Sequence, residues 1–188
     1  MRILDVGCGK AKIPGAIGFD ILPTSPADLL ADAGRRAWPF AANTFDHIVC
    51  RHIIEHVPDV LAFMAEAHRV GRAGALVSII TPHFSNRYSY TDPTHVRHLA
   101  WRSFDYFTAE SAAPRPTLWE RALELRHPIP AFYSAVRFRR RRTFLSFGRP
   151  FWWLGIQALA NRWPDLYEHY LAFLWPARDL YVELEVIK

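Results

Sequence analysis

The sequence predicts an α/β domain built on a mostly parallel sheet of about seven strands. Short apolar runs typical of buried parallel strands recur along the first half of the chain. At residues 45–82 a helical pattern separates two such runs, which indicates a strand–helix–strand crossover. The chain closes on LYVELEVIK, where apolar residues alternate with Tyr181, Glu183 and Glu185 as in a half-exposed strand.

The composition suits a single globular domain. The 188 residues are 51% hydrophobic and 22% charged, enough to bury a core without disulfides or structural metals. Cys8 and Cys50 lack the spacing of a redox or zinc motif, so both are expected to be reduced. No apolar run is long enough for a membrane span and the N-terminus lacks signal-peptide features, so a cytoplasmic location is expected.

Five strands are predicted in the first half of the chain. They cover residues 2–7, 16–21, 27–32, 45–52 and 75–82. The helix between the last two starts near Pro58 and stops at Gly71. Only about nine residues separate the first two strands, and about five separate the second from the third, which is too few for a packed helix. The usual crossover helices are therefore predicted to be missing here.

The second half of the chain is richer in proline and aromatic residues. A capping box from Thr117 to Glu120 predicts a helix over residues 117–126. A strand is predicted within residues 134–147, and aromatic helices over residues 150–162 and 165–174. Such aromatic helices more often pack as core or cap a pocket than face a membrane.

Four landmarks follow one another in the first half: LDVGCG, GFD, FDHIVCRHIIEHVPD and AHRVGRAGALVSIITP. Their order resembles the class I methyltransferases that use S-adenosylmethionine. The PHFS and DPTH segments that follow resemble a bacterial subgroup of that superfamily. The resemblance implies a Rossmann-like sheet with its last strand inserted antiparallel. It also implies S-adenosylmethionine as cofactor and methyl transfer to a small-molecule or sugar-containing acceptor.

The resemblance divides a single methyltransferase domain, residues 1–188, into three parts. Residues 1–82 are the expected cofactor-binding half, residues 83–176 the acceptor-binding and lid elements, and residues 177–188 the final strand. The cofactor-binding residues that it implies are Asp5, Gly7, Gly9, Lys12, Asp20, Ile21, Asp32, Arg51 and His52.

Each cofactor residue has a physical reason and, in some cases, an alternative. Gly7 and Gly9 allow a sharp backbone turn close to a ligand. Asp20 is placed to accept hydrogen bonds from two ribose hydroxyls, or else is a surface turn acid. Asp32 matches the position that contacts the adenine amino group, although Asp also commonly caps loops. By resemblance, Lys12 is assigned to the carboxylate of the cofactor.

Two further features refine the cofactor assignment. Ala11 stands where the family has a third glycine, and the segment after it offers no helix N-terminus for a phosphate, which counts against a dinucleotide. Arg51 and His52, which follow the fourth strand, would lie beside the methionine portion of the cofactor.

The segment PHFSNRYSYTDPTH (82–95) follows the fifth strand, at the edge where open parallel sheets bind ligands. His83, Asp92 and His95 are candidate catalytic bases or orienting groups for the acceptor. The candidate substrate-binding residues are His56, Tyr88 and Tyr90. As an alternative, Asp92 and His95 only stiffen a lid by pairing with backbone groups.

The segment HIIEH (52–56) also fits the inverted zinc-protease signature H-x-x-E-H. That site needs both imidazoles on one helix face, whereas His52 is predicted at the end of a strand. No metal is therefore expected.

The net charge of +5 is concentrated in RFRRRR, residues 137–142. The cluster has two interpretations: a charged strand edge that discourages aggregation, or a patch for phosphate or an acidic substrate. The second would suit a nucleic-acid methyltransferase. The short N-terminal connections leave a third possibility, a non-catalytic methyltransferase-like partner subunit.

Overall fold

A computed structural model describes residues 1–35, 37–108, 118, 121, 123 and 134–188. It contains a seven-stranded sheet in the order β3-β2-β1-β4-β5-β7-β6. The strands are β1 (Ile3–Val6), β2 (Ile17–Asp20), β3 (Leu29–Leu30), β4 (Phe45–Arg51), β5 (Gly71–Pro82), β6 (Arg137–Leu145) and β7 (Asp179–Ile187). The predicted α/β class and the mostly parallel sheet are confirmed.

The strands β1 to β5 form the parallel part of the sheet. Leu4 of β1 lies opposite Ile17 on one side and Ile48 on the other. Leu4 and Ile48 are fully buried, as expected for strands covered on both faces.

The connections that leave β1 and β2 contain no helix, as predicted. Side-chain carboxylates hold these loops instead. Asp5 accepts a hydrogen bond from the backbone N–H of Ile13 at 2.8 Å, and Asp28 accepts one from Gly18 at 2.8 Å. In each loop a carboxylate thus satisfies a backbone donor that a crossover helix would otherwise satisfy internally.

Helix α1 (Val60–Val70) makes the crossover from β4 to β5. Its first residue follows Asp59, whose side chain accepts a hydrogen bond from the backbone N–H of Ala62 at 2.9 Å. The helix ends at Gly71 as predicted, but Gly71 also begins β5. The strand is therefore four residues longer at its start than the sequence indicated (Gly71 rather than Ala75).

Strand β7 lies antiparallel between β5 and β6, as the family resemblance implied. Its apolar residues Leu180, Val182, Leu184 and Val186 are buried. The edge strand β6 has a register shift between Arg140 and Arg142. At this bulge, two residues of β6 lie opposite one residue of β7. One more arginine of β6 therefore lies on the exposed face of the sheet.

The other helical elements among the described residues follow β4, β5 and β6 along the chain. They are a 3₁₀ turn (Ile54–His56), α2 (Tyr88–Thr91), a second 3₁₀ turn (Asp105–Phe107), α3 (Arg149–Trp153), α4 (Ile156–Arg162), α5 (Pro164–Leu166) and a π-helical turn (Tyr167–Leu171). Some aromatic residues of this region are buried and others are exposed. Tyr167 is fully buried, whereas Trp153 is 84% exposed. Burial raises the pKa of Tyr167 to about 12.

The structure also bears on the predicted helix at residues 117–126, on the two cysteines and on membrane spans. The helix predicted from the Thr117–Glu120 capping box lies outside the described residues, apart from three isolated positions. Cys8 and Cys50 are both buried and unpaired, and burial raises the pKa of both thiols. Among the described helices, none has the length and apolar character needed to cross a bilayer.

Candidate active site

The glycine turn after β1 contains two residues with left-handed backbone, Gly7 (φ 61°) and Gly9 (φ 55°). They are needed for different reasons. A Cβ at Gly7 would lie 2.7 Å from the side chain of Ile53, whereas a Cβ at Gly9 would meet nothing within 4 Å. Gly7 therefore serves packing, and Gly9 leaves open space next to the backbone where a ligand can approach.

Asp20, at the carboxyl end of β2, is 7% exposed. One carboxylate oxygen accepts a hydrogen bond from the backbone N–H of Gly9 at 2.7 Å, and the other accepts one from Leu22 at 2.8 Å. Each oxygen keeps a second lone pair for a further donor. The next residue, Ile21, is 66% exposed and supplies an apolar surface beside the acid.

Asp5 and Arg51 join the ends of β1 and β4. The Asp5 side chain is almost completely buried, and its Oδ2 accepts a hydrogen bond from Arg51 at 3.0 Å. Within the described residues, its Oδ1 is buried without a hydrogen bond. Arg51 also donates to the carbonyl of Ala11 at 2.6 Å, so this side chain ties the glycine turn to β4.

Lys12 and Asp32 occupy the outer part of this region. The Lys12 ammonium is held by both oxygens of Asp28, at 2.7 and 2.9 Å. Its predicted contact with the carboxylate of the cofactor requires this ion pair to open. Asp32 accepts a hydrogen bond from the backbone N–H of Gly34 at 2.8 Å, which is the loop-cap geometry named as its alternative. The assignments of both residues to the cofactor stay predictions.

A cavity of about 580 Å³ lies beyond the carboxyl ends of β4 and β5. We call it the histidine cavity. Five of the predicted site residues line it: His52, His56, Tyr88, Asp92 and His95. They come from the turn after β4 and from the loop after β5, which the parallel pairing of these two strands brings to one edge.

Two predicted acceptor-site residues, His83 and Tyr90, are not among the residues that line the cavity. His83 is fully buried, with Nε2 2.8 Å from a Glu168 oxygen and Nδ1 2.8 Å from the Ser85 hydroxyl. It joins the loop after β5 to the π-helical turn. Tyr90 is exposed and stacks on His98, with ring centroids 4.2 Å apart.

The loop residues in the cavity wall form a hydrogen-bonded network. The Thr94 hydroxyl donates to Asp92 at 2.6 Å and lies 2.9 Å from Nδ1 of His56. The hydrogen bond from this hydroxyl lowers the pKa of Asp92. The His56 and His95 rings meet edge to face, with centroids 4.6 Å apart. Asp92 therefore does stiffen the loop, while both imidazoles still face the cavity.

The structure adds polar residues to the cavity that were not predicted as site residues: Glu55, Asn86, Arg178 and Asp179. Glu55 is 1% exposed and lies 3.3 Å from Nδ1 of His52. This carboxylate raises the pKa of His52, which also has a left-handed backbone (φ 52°). Strained residues of this kind concentrate at functional sites.

Asp179 belongs to the cavity because of topology. It begins β7 and lies opposite Pro82, the last residue of β5, and burial raises its pKa. No local motif marks it in the sequence, since its position depends on where the final strand inserts. Glu55 is the acid of the HIIEH segment, and this motif is the local signal in the sequence that points to it.

Comparison with known proteins bears on the fold and on the family. Residues 4–79 match the model of a family described as a methyltransferase domain. Over these residues the chain contains a methyltransferase domain, as the resemblance implied. Its cofactor is therefore S-adenosylmethionine. No curated protein sequence matches the chain.

Solved structures show that the similarity in fold extends over nearly the whole chain. A SAM-dependent methyltransferase from Archaeoglobus fulgidus superposes with a TM-score of 0.57 at 15% identity, covering 98% of this chain and 85% of that one. A second, from Aquifex aeolicus, gives 0.51 at 14% identity, with coverage of 100% and 82%. A third, from Mesorhizobium loti, gives 0.52 at 16% identity, with coverage of 98% and 90%. At these identities the likeness concerns the fold alone.

The residues of the methyltransferase at the ends of β1, β2 and β4 fit the cofactor. Gly9 leaves space for a ligand against the backbone, Asp20 retains free lone pairs, and Ile21 offers apolar surface. The buried Oδ1 of Asp5 supplies a further unused acceptor.

Proposed function

We propose that this methyltransferase transfers a methyl group to a small-molecule or sugar-containing acceptor bound in the histidine cavity. The observation that supports this most directly is the cavity itself. Its volume of about 580 Å³ lies within the roughly 300–1,000 Å³ range of small-ligand pockets, and it adjoins His52 at the end of β4. A small-molecule acceptor fits a cavity of this size.

The cofactor side of the proposed site consists of residues 5–52. Asp20 would accept hydrogen bonds from the ribose hydroxyls, and Ile21 would contact the adenine. Arg51 reaches the loop after the glycine turn at the Ala11 carbonyl and has no bidentate ion pair, so it is a better candidate for the amino-acid carboxylate than Lys12. S-adenosylmethionine supplies an electrophilic methyl group on a sulfonium.

The acceptor side consists of the loop after β5 together with the turn after β4. His95 and His56 would contact the acceptor directly, with Asp92 and Tyr88 at the cavity rim. Methyl transfer requires alignment of the acceptor, exclusion of water and, for many acceptors, removal of a proton. Residues 83–176 are proposed to supply this surface and its lid. His83 acts through packing, since it has no access to the cavity.

A cofactor-consumption screen tests the proposal. Purified protein is incubated with S-adenosylmethionine and fractionated metabolites, and formation of S-adenosylhomocysteine is measured. An active fraction should support turnover with wild type and fail with His95→Ala, while His98→Ala, in the same loop but outside the cavity, remains active. Cofactor binding without turnover in any metabolite fraction would favour the alternative of a non-catalytic partner subunit.

Nucleic acid remains the competing acceptor, and the arginine cluster (137–142) is the feature that would bind it. In the structure much of this charge is already paired. Arg139 and Arg141 both contact Glu185, at 3.3 and 2.7 Å, and Arg140 contacts Asp105. Pairing within the chain supports the interpretation of a charged strand edge. Salt-sensitive binding of RNA or DNA, with methylation of the bound polymer, would favour the alternative.

A further inference from the structure

We propose that the methyltransferase has a binding site for a divalent transition-metal ion, formed by Glu55, His56 and His95. One side-chain donor atom from each of the three residues lies within 4.8 Å of the other two. All three residues line the histidine cavity. Metal binding is not required by the S-adenosylmethionine chemistry, so this site extends the function proposed above.

His95 is held with a metal-binding nitrogen free. Its Nδ1 lies 3.2 Å from the backbone carbonyl of Ser89. Because a carbonyl can only accept, Nδ1 carries the proton in the neutral ring and Nε2 has the lone pair. The nearest carboxylate, Asp92, is 3.9 Å from Nε2, beyond hydrogen-bonding distance. A histidine whose other nitrogen donates to a carbonyl is typical of metal ligands.

His56 is held in the same tautomer by a different route. The Thr94 hydroxyl is 2.6 Å from a carboxylate oxygen of Asp92, which accepts its proton. The same hydroxyl is 2.9 Å from Nδ1 of His56, so that nitrogen must be the donor. The Nε2 lone pair of His56 is therefore free as well. Asp92 acts through Thr94 as an outer group that orients a ligand.

Glu55 supplies the oxygen. Its Oε2 accepts a hydrogen bond from Thr81 at 3.0 Å, whereas its Oε1 is buried and has no hydrogen bond within the described residues. His52 approaches Oε1 to 3.3 Å without forming one. A buried carboxylate oxygen without a hydrogen bond is costly, and a cation between it and two imidazole lone pairs would lower that cost.

The backbone brings the three ligands together. The Glu55 carbonyl accepts hydrogen bonds from the N–H groups of Val96, at 2.9 Å, and Arg97, at 3.1 Å. These bonds fasten the segment after His95 to the turn that holds Glu55 and His56. The ligands are thus fixed by two chain segments that are almost forty residues apart in sequence.

The donor set indicates the class of metal. Two imidazoles and one carboxylate suit Zn²⁺, Fe²⁺, Mn²⁺ or Co²⁺, whereas Mg²⁺ and Ca²⁺ prefer oxygen ligands. Atoms bonded to one such ion at about 2.0–2.2 Å lie roughly 3–4 Å apart, so modest side-chain rotation would close the site. The remaining coordination positions would face the cavity. If the proposed methyl transfer holds, they would take an oxygen of the acceptor.

This arrangement differs from the zinc-protease reading of HIIEH. That reading pairs His52 with His56, whereas His52 lies outside the group of three donors. The third ligand comes from the loop after β5, which the motif does not include. The expectation that the protein holds no metal is revised here for this reason.

The test uses tag-free protein that has been stripped of metal and titrated with Zn²⁺ alone in a calorimeter. We expect one ion per chain. Loss of a ligand in His95→Ala, His56→Ala or Glu55→Gln should weaken binding by about 100-fold or more. Zn²⁺ should also raise the melting temperature of wild type but not of these variants. Circular dichroism checks that each variant is folded.

Two further variants keep the result decisive. His169→Ala removes an exposed histidine on the π-helical turn and should bind Zn²⁺ like wild type. His52→Ala should retain the site, whereas the zinc-protease arrangement requires its loss. Wild-type binding no tighter than that of His95→Ala would overturn the proposal. The titration uses neither cofactor nor acceptor, so its failure would leave the proposed methyl transfer untouched.

Discussion

The residues proposed to bind the cofactor, among them Gly9, Asp20 and Arg51, form what we call the cofactor edge. This edge and the histidine cavity lie at the same end of one sheet, but they are built differently. At the cofactor edge, carboxylates accept hydrogen bonds from backbone N–H groups nearby in sequence, as Asp20 does from Gly9 and Leu22. In the cavity, the polar groups come from the turn after β4, the loop after β5 and the start of β7. Residues His56 and Asp179 meet there although more than a hundred residues separate them.

The difference has a physical origin. Short strand connections leave buried N–H groups unpaired, and nearby acids satisfy them, so the cofactor edge is assembled by local contacts. The cavity depends on strand pairing, because β4, β5 and β7 must be in register before its walls exist. We therefore expect variants at the two regions to separate cofactor binding from acceptor chemistry.

The largest effect is expected for His95→Ala. Loss of a group that contacts the acceptor should slow turnover by about 10²–10⁴-fold while cofactor affinity changes little. Single-turnover formation of S-adenosylhomocysteine and calorimetric cofactor binding measure the two quantities. Near-normal turnover would show that the loop is only a lid, and so would a cofactor affinity that falls together with the melting temperature.

Next in size is the stability loss expected for His83→Ala. The substitution removes a buried ring and one hydrogen-bond partner each of Ser85 and Glu168, which should lower the free energy of unfolding by about 2–4 kcal/mol. Denaturant unfolding measures the change, and cofactor affinity in the folded variant should be normal. A fully stable variant with abolished turnover would restore His83 to the catalytic group.

At the cofactor edge, Asp20→Ala should weaken cofactor binding by roughly ten-fold or more. The ribose hydroxyls would lose their acceptor in a partly dry site, at a cost of about 1–3 kcal/mol. Asp46→Ala is the matched control, since Asp46 lies at the amino end of β4 and pairs with Arg72 at 2.7 Å. Equal affinities for Asp20→Ala and wild type would mean that the ribose is placed wrongly.

Two glycine variants also test where the cofactor binds, with a smaller expected change in cofactor affinity. Gly9 and Gly15 both have left-handed backbone, and a Cβ at either would meet nothing within 4 Å. Alanine at each should cost about 1–2 kcal/mol of stability through backbone strain. Only Gly9→Ala should also reduce cofactor affinity, because its Cβ would enter the space proposed for the ligand. A parallel loss in Gly15→Ala would assign the effect to strain alone.

The smallest effect is expected for Arg139→Ala on the edge strand. Arg139 is largely exposed and shares Glu185 with Arg141, so the free energy of unfolding should change by less than about 1 kcal/mol. Urea denaturation measures this, and cofactor binding and turnover should stay normal. If wild type bound RNA in a salt-sensitive way and this variant did not, the cluster would be a nucleic-acid surface.

Much of the fold followed from local sequence. Apolar runs predicted β1, β2, β4 and β5 within a few residues, because strands buried on both faces must be apolar throughout. The missing helices after β1 and β2 followed from chain length alone, since so few residues cannot fold back as a packed helix. The place of β7 between β5 and β6 followed from the family resemblance, not from its alternation pattern.

The sequence by itself determined the class of protein and the residues of the glycine turn and Asp20, because these act through neighbours close along the chain. Only the tertiary structure decided which polar residues share the histidine cavity. It placed His83 in the interior, away from the cavity lining, and added Asp179 from the final strand. It also joined Glu55 and His56 to His95. Periodicity reports which face of an element is buried, but the partner across a cavity depends on strand order and loop path, which no local pattern encodes.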